Sequence, residues 1–484
     1  MKKLPILPPY KNIDKTTITN SMREIIDGIM IVDQESNVSL QRRPGLRKLK
    51  DLSEGARIDL HWFDSISSLI AVTNGKCYVI PKKDFSEVNE IIGVNLIVNQ
   101  KVIFDEVYDV VNAETRLFMA NGGAVYWTNG VNAGTLTGNN APSRCTHIAQ
   151  IDTYLLCNDL DKSAQFLQSV VNDPTNFDSG SGSRTYAAQR IPDDVIALFG
   201  KNNKIYVCGR ESIEIWYNVG DTIPFAPVGT IISTGLASPY SYGILYDNVI
   251  FLNSDRQPVY LNGYTPVYIG EAYQKEFDSL GPIRDAEATF VSTIGGRQYW
   301  IISFTDQNKT FVYDTGSKAW YRWGNWNNTD HDRFLAASYA YCKDWGFHVM
   351  GDLNDSIVYE FSPDYYKDNN DAMQTILLFG NYDLGSKNYK VSKKLLVDIK
   401  RGEGKSDDKY SAPKAYISWS DNDTEIFGND VELDLGAIGK REKFGPLMPM
   451  GYYKTRTYRI VFGDNANIVF NGFWEDARET SRSY

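Results

Sequence analysis

The feature that most constrains this chain is a recurring unit of short alternating strands separated by turn residues. Ser68 to Ile80 reads S-L-I-A-V-T-N-G-K-C-Y-V-I, and its Asn74-Gly75 pair is a hairpin signal, because both central residues of a tight hairpin turn need positive φ. Arg116 to Thr128 repeats the pattern around Asn121-Gly122-Gly123, and Tyr154 to Ser169 repeats it more weakly. Ile196 to Asn218, Gly243 to Ile269, Arg297 to Trp323 and Phe347 to Ser362 follow with the same grammar of strand, polar turn, strand. Central strand residues Ile70, Leu117, Leu155, Tyr206, Ile250, Ile301 and Val349 lie 47, 38, 51, 44, 51 and 48 residues apart. Propeller blades repeat at roughly 40–50 residues, since each is one four-stranded sheet that must bury both faces against its neighbours. The spacing therefore predicts an all-β chain with a β-propeller-like repeat body of six or seven blades. A pair of packed β-sandwiches is the competing all-β arrangement.

Two regions flank that body. Residues 1–50 form an N-terminal arm, proline-rich at first, with an apolar patch from Gly28 to Val32. The segment Ser39 to Leu49 enters the first blade and is a candidate to close the propeller by pairing with the far end of the chain. The body spans 51–366. A polar linker, Lys367 to Asp371, precedes residues 372–484, read as a C-terminal β domain or closing blade with strands at Leu395 to Ile399, Ala415 to Ser420, and two more near the end. Long helices are scarce throughout.

Composition agrees with this reading. Aromatic residues make up 13% of the chain, including 31 Tyr, and aromatic side chains suit pleated, half-buried surfaces. The cluster Trp320, Tyr321, Trp323, Trp326 and Phe334 is either an exposed partner patch or, the reading adopted here, a blade core. The net charge of −10 argues against a protein that grips nucleic acid by its phosphates. Cys77, Cys145, Cys157, Cys208 and Cys342 are scattered and odd in number, which argues against a disulfide framework or a thiolate zinc site. The N-terminal apolar run is short and broken by prolines, unlike a signal peptide, and no run approaches a membrane span.

Catalytic and ligand-binding motifs are weak. Arg401 to Ser406 (R-G-E-G-K-S) resembles the end of a phosphate loop, but Ile399 stands where the first glycine belongs and no helix pattern follows. Ser420 to Asp430 has acidic calcium-loop spacing, with Ile426 where the sharp turn needs glycine. It also resembles a degraded Asp-box turn, with Asn422 for Asp and Phe427 for Trp, and is read as structural. His61, His147, His331 and His348 are isolated. Paired carboxylates could hydrolyse glycosides, and Glu211 and Glu214 are the nearest candidates, but alternate polar positions on a strand are more simply its solvated face. No cofactor, metal or catalytic residue is expected.

At Arg42 to Leu46 (R-R-P-G-L) and Ile417 to Asp423 (I-S-W-S-D-N-D) the chain resembles the packaged-DNA stabilisation family, the tail hub or nozzle proteins of short-tailed bacteriophages. The motif positions carrying the resemblance are Arg43, Pro44 and Gly45, then Trp419, Ser420 and Asp421, then Gly436 and Gly439, with an arginine-containing strand at Lys454 to Phe462. Glu211 to Gly220 is similar to the family's central strand segment. Departures fall at Asn422, Thr424 and the insertion after Gly439. The resemblance implies a structural, non-enzymatic virion protein of the phage tail, made in the bacterial host cytoplasm. It implies a self-associated ring, a homohexamer, below the portal and head-to-tail adaptor, with a tail needle, plug or tail fibre as further partner. Phage genomic DNA would pass through the lumen without sequence-specific binding, past carboxylates that repel phosphate. A carbohydrate-binding or sialidase-like propeller tail protein is the alternative, and a kelch-type interaction propeller a third reading.

Overall fold

The computed structural model describes residues 1–11, 21–33, 35, 37–188, 193–281, 283, 288–408, 411–422, 426–441, 447 and 450–480. Within them, seven four-stranded antiparallel units succeed one another around a common axis. Blade 1 is Ile58–Phe63, Ser68–Thr73, Lys76–Ile80 and Asn89–Ile91; blade 2 runs from Ile103–Asp109 to Ala133–Thr135; blade 3 from Ile148–Ile151 to Arg184–Ala187. Blade 4 runs from Ala197–Lys201 to Phe225–Ile232, blade 5 from Tyr242–Ile244 to Thr265–Tyr268, and blade 6 from Ala288–Ile294 to Ala319–Arg322. Blade 7 takes Ala336–Cys342, Phe347–Asp352 and Ile357–Ser362 from one end of the chain, and its outer strand, Gly45–Asp51, from the other. The Asn74-Gly75 turn forms as the sequence predicts, with φ of 49° and 76° and Thr73 opposite Lys76. A Cβ on Gly75 would lie 2.6 Å from the Leu96 carbonyl oxygen, so glycine is needed there for space as well as for φ.

Alternation builds the core. Inward residues of adjoining blades pack face to face, as where Phe166 and Trp216 of blades 3 and 4 meet edge-on at 5.1 Å. Of the aromatic cluster, Trp320, Tyr321, Trp323 and Phe334 are buried blade core and Trp326 is half-buried.

The rest of the chain forms a two-sheet sandwich fused to blades 6 and 7. One sheet continues blade 6: Ala319–Arg322 is followed by Glu24–Ile26, Thr375–Tyr382, Arg456–Phe462, Lys414–Asp421 and Val431–Asp434. The other contains Gly28–Val32, Val38–Arg42, Val469–Glu479, Lys390–Ile399 and Tyr452–Tyr453, with Lys2–Leu4 also paired to Val469–Glu479. Phe379 of the first sheet meets Phe473 of the second at 4.7 Å, and this core is continuous with Tyr299, Tyr321 and Trp323 of blade 6 and its exit. The N-terminal arm is thus woven into the C-terminal sandwich before its last strand joins blade 7.

Arg43 stands at that crossover, fully buried. Its Nε donates to Asp27 Oδ1 (2.7 Å), Nη1 to Asp368 Oδ1 (3.1 Å) and the Pro44 carbonyl (3.0 Å), and Nη2 to Asp368 Oδ2 and the Gly324 carbonyl (2.8 Å). All five guanidinium hydrogens are used. Burial works against its charge, but Asp27 and Asp368 outweigh that and hold Arg43 above the ordinary arginine range. Lys367 to Asp371, polar enough in sequence to suggest a solvated linker, is instead drawn inward here: Asp368 is buried and sits beside Leu46 in parallel register. Gly45 is pressed against the same segment, where a Cβ would lie 2.4 Å from the Tyr365 carbonyl oxygen and 2.5 Å from that of Lys367.

Replacing Arg43 by methionine (Arg43→Met) removes the cation hydrogen-bonded to two buried carboxylates, a loss of about 3–5 kcal/mol. Chemical denaturation checks this. A wild-type midpoint in the variant would show that the cluster does not hold the joint.

Candidate functional site

The inner strand of each blade is paired on one side only, so its other edge turns unpaired backbone groups toward the axis. There they line a cavity of about 640 Å³, walled by one inner strand from every blade through Leu60, Phe104, Ile148, Phe199, Gly243, Phe290 and Ala337. Polar side chains bridge successive blades around it. Asp59 Oδ2 accepts from Val102 N on the approach to blade 2 (3.1 Å), and Asp105 Oδ2 accepts from Gln150 N of blade 3 (2.6 Å). Lys201 Nζ donates to the Leu245 carbonyl (2.6 Å) and Gln298 accepts from Tyr246 N (2.9 Å), while between blades 3 and 4 the bridge lies farther out, at exposed turns, where Asn218 donates to Asp152 (2.7 Å). The Tyr339 hydroxyl donates to the Thr293 carbonyl (2.8 Å), and Ser338 closes the circle on the Ile58 carbonyl (2.9 Å). Lys101 spans the axis, donating from its place before blade 2 to the Thr289 carbonyl of blade 6.

Two ionisable groups here are poorly solvated. Burial pushes the Asp105 carboxyl up to about 6 against two backbone N–H donors, and burial with the nearby Arg57 lowers Lys101 to about 7. His147, stacked on Tyr240 at 5.1 Å, is driven down to about 3 by burial. The sequence carried no local signal for this set, because residues as distant as Lys101 and Thr289 meet only when the ring closes.

The motif residues fall into two clusters. Arg43, Pro44 and Gly45 form the joint already described. Trp419, Ser420 and Asp421 lie on Lys414–Asp421, one strand from the free edge of the sandwich. Asp421 pairs with the buried Arg456 at 2.6 Å and 2.9 Å, and the guanidinium lies 4.0 Å from the Tyr453 ring and 5.6 Å from Trp419. Gly436 (φ 76°) and Gly439 (φ 85°) turn the chain after Val431–Asp434. They meet the phosphate-loop-like string there: Gly402 N donates to the Leu435 carbonyl and Gly439 N to the Gly402 carbonyl, while Lys405 is paired with Asp464 at 2.9 Å. That string is a structural loop with its lysine already engaged.

Asp27 and Asp368, which complete the first cluster, were invisible in sequence at separations of 16 and 325 residues from Arg43. Within the calcium-like run, Asn422 takes φ 56° and accepts from Lys454 N; Asp423, Thr424 and Glu425 lie outside the described residues. So does half of the insertion after Gly439, although Met450 and Tyr453 are buried. The carboxylate candidates do not form a catalytic pair: Glu211 is exposed in a turn, whereas Glu214 is buried and accepts from Trp216 Nε1 at 3.2 Å. Among the described residues no group of three or more His, Cys, Asp or Glu could hold a metal ion, and no helix is long and apolar enough to cross a membrane.

Charge divides between the two bodies. Residues 45–371, which contain the propeller, carry 26 Lys and Arg against 39 Asp and Glu, a net −13; the remainder, the sandwich, carries 24 against 21, a net +3.

The Asp105 shift gives a pH signature. Its folded carboxyl titrates near 6 and an unfolded one near 4, so its contribution to stability is full below about 4 and lost as pH rises through 6. Asp105→Asn keeps an acceptor for the backbone donors. It is expected to stabilise the chain above pH 7 by about 1–2 kcal/mol, below the ~3 kcal/mol that two pH units represent because the group faces the cavity. Thermal melts at pH 4 and pH 8 check this, with the gain present only at pH 8.

No curated protein matches the chain. Solved structures similar to it include the N-terminal domain of Nup159, at 10% identity over 69% of this chain and 98% of that one, with a TM-score of 0.39. The Pan2 WD40 domain of Neurospora crassa is similar at 10% identity over 67% and 95%, with a TM-score of 0.38. The extracellular domain of BT4673 from B. thetaiotaomicron is similar at 8% identity over 66% and 39%, with a TM-score of 0.42. A family model described as "Bacteriophage P22 Gp10, beta-propeller" matches residues 33–366, from the arm strand before Arg43 to the end of blade 7. The propeller is therefore that of a phage tail-associated structural protein, and the chain belongs to the phage packaged-DNA stabilisation family.

Proposed function

We propose that this chain is a subunit of a ring in the phage tail, attached below the portal and head-to-tail adaptor, that walls the DNA exit channel and helps retain the packaged genome until ejection. The observation that carries the reading is the family match across the whole propeller. Two features of the molecule are consistent with it. The acidic excess resides on the propeller, and an acidic wall lets a duplex slide where a basic one would hold it. The propeller and sandwich also share one sheet and one core, as suits a wall that bears load rather than a hinge. The ring is a homohexamer, and a tail needle, plug or tail fibre completes its distal end. Its place is the virion, and its role is structural rather than catalytic.

The mass of the full-length protein in solution, alone and mixed with portal–adaptor complex, tests this. A closed oligomer that forms alone or on the portal assembly is the expected result. A monomer indifferent to that assembly would discard the reading.

A further inference from the structure

A ring of more than two identical subunits needs a heterologous interface, in which two different surfaces of the same chain meet. Two surfaces among the described residues are candidates, one of acidic and one of net basic sign.

The first is the rim of blades 2 to 4. Val111 at the first turn of blade 2 is 68% exposed and Val131 at its last turn 80%, and Val171, Val219 and Ile223 continue the series on blades 3 and 4. Single exposed apolar residues are ordinary, but these belong to one surface. Val110 N donates to the Asn172 carbonyl across blades 2 and 3, Asn129 to Glu114 within blade 2, and Asn218 to Asp152 across blades 3 and 4. Exposed Asp152 and Asp221 give the rim the acidic sign of the whole propeller.

The second is the outer face of the sandwich sheet that holds Lys390–Ile399. Its buried positions are Lys390, Ser392, Leu395, Val397 and Ile399, so Val391, Lys394, Leu396 and Asp398 point outward. Register places Leu396 beside Trp474 and Trp474 beside Lys3, whose ammonium lies 5.3 Å from the indole, and places Arg478 beside Val391. This is a half-buried apolar and aromatic stripe on which Lys3, Lys394 and Arg478 outnumber Asp398 and Asp476, for a net positive sign. The sandwich is fused to blades 6 and 7, so in a seven-bladed ring it lies across the axis from blade 3.

We propose that the acidic valine rim of blades 2 to 4 docks on the Lys3–Lys394–Trp474 face of a second copy, and that repetition of this contact builds the ring. The inference rests on the ring reading above and adds its two surfaces.

The test uses full-length protein, with portal–adaptor complex present if the ring needs it. Val131→Glu puts a carboxylate on the rim and Lys394→Glu reverses a cation on the sandwich face; both positions are exposed, and thermal melts confirm that the fold is retained. Each variant alone is expected to lose the ring, with association weakened at least about tenfold. Added salt is expected to weaken wild-type assembly. Because each variant keeps one intact surface, an equimolar mixture is expected to form a dimer and nothing larger. Variants that form rings as the wild type does, or a mixture that stays monomeric, would overturn the docking surfaces while a wild-type ring left the ring reading standing. A wild-type chain that never assembles would remove both.

Discussion

The structure depends on how Arg43 is neutralised. A guanidinium with no access to water is tolerated only if each of its donors finds an acceptor and its charge finds carboxylates, and here both come from far along the chain. Asp27 lies on the bend that links the two sheets of the sandwich, Asp368 follows blade 7, and Gly324 follows blade 6. One side chain therefore ties the arm, the last two blades and the entry to the sandwich. Gly45, with no room for a Cβ, lets the next strand approach closely enough to complete blade 7. Arg42 extends the tie, donating to Thr375 Oγ1 and to backbone carbonyls at Met373, Asp464 and Ala466.

With the joint in place, the propeller closes by a second means. The inner strands cannot pair with one another around a circle, so side chains satisfy part of their open edges, joint by joint. The set costs solvation: Asp105 and Lys101 are each held away from their ordinary titration range by burial. Neutral conditions therefore find the axis carrying two poorly solvated groups, which the blade cores must outweigh. The large aromatic contacts between blades and across the sandwich supply that surplus.

The fusion of the two bodies bears on the tail-associated role. A shared nine-stranded sheet and a continuous core make the sandwich a fixed arm of the propeller, so a force on one reaches the other through backbone hydrogen bonds. The two bodies carry opposite formal charges, −13 for residues 45–371 and +3 for the remainder.

Local features were legible in the sequence because their causes are local. Alternation set the strands, Asn74-Gly75 set its turn through positive φ, and the spacing of the units announced a propeller. The R-R-P-G-L and W-S-D strings marked the two places where the sandwich is pinned, although their partners could not be read. Seven blades, rather than six, was decided only in three dimensions, because the last blade borrows its outer strand from residues 45–51. Asp368 reads as linker in the sequence, and nothing local to Lys101 marks it. What buries each is a group 325 or 188 residues away, and only closure of the ring brings the two together.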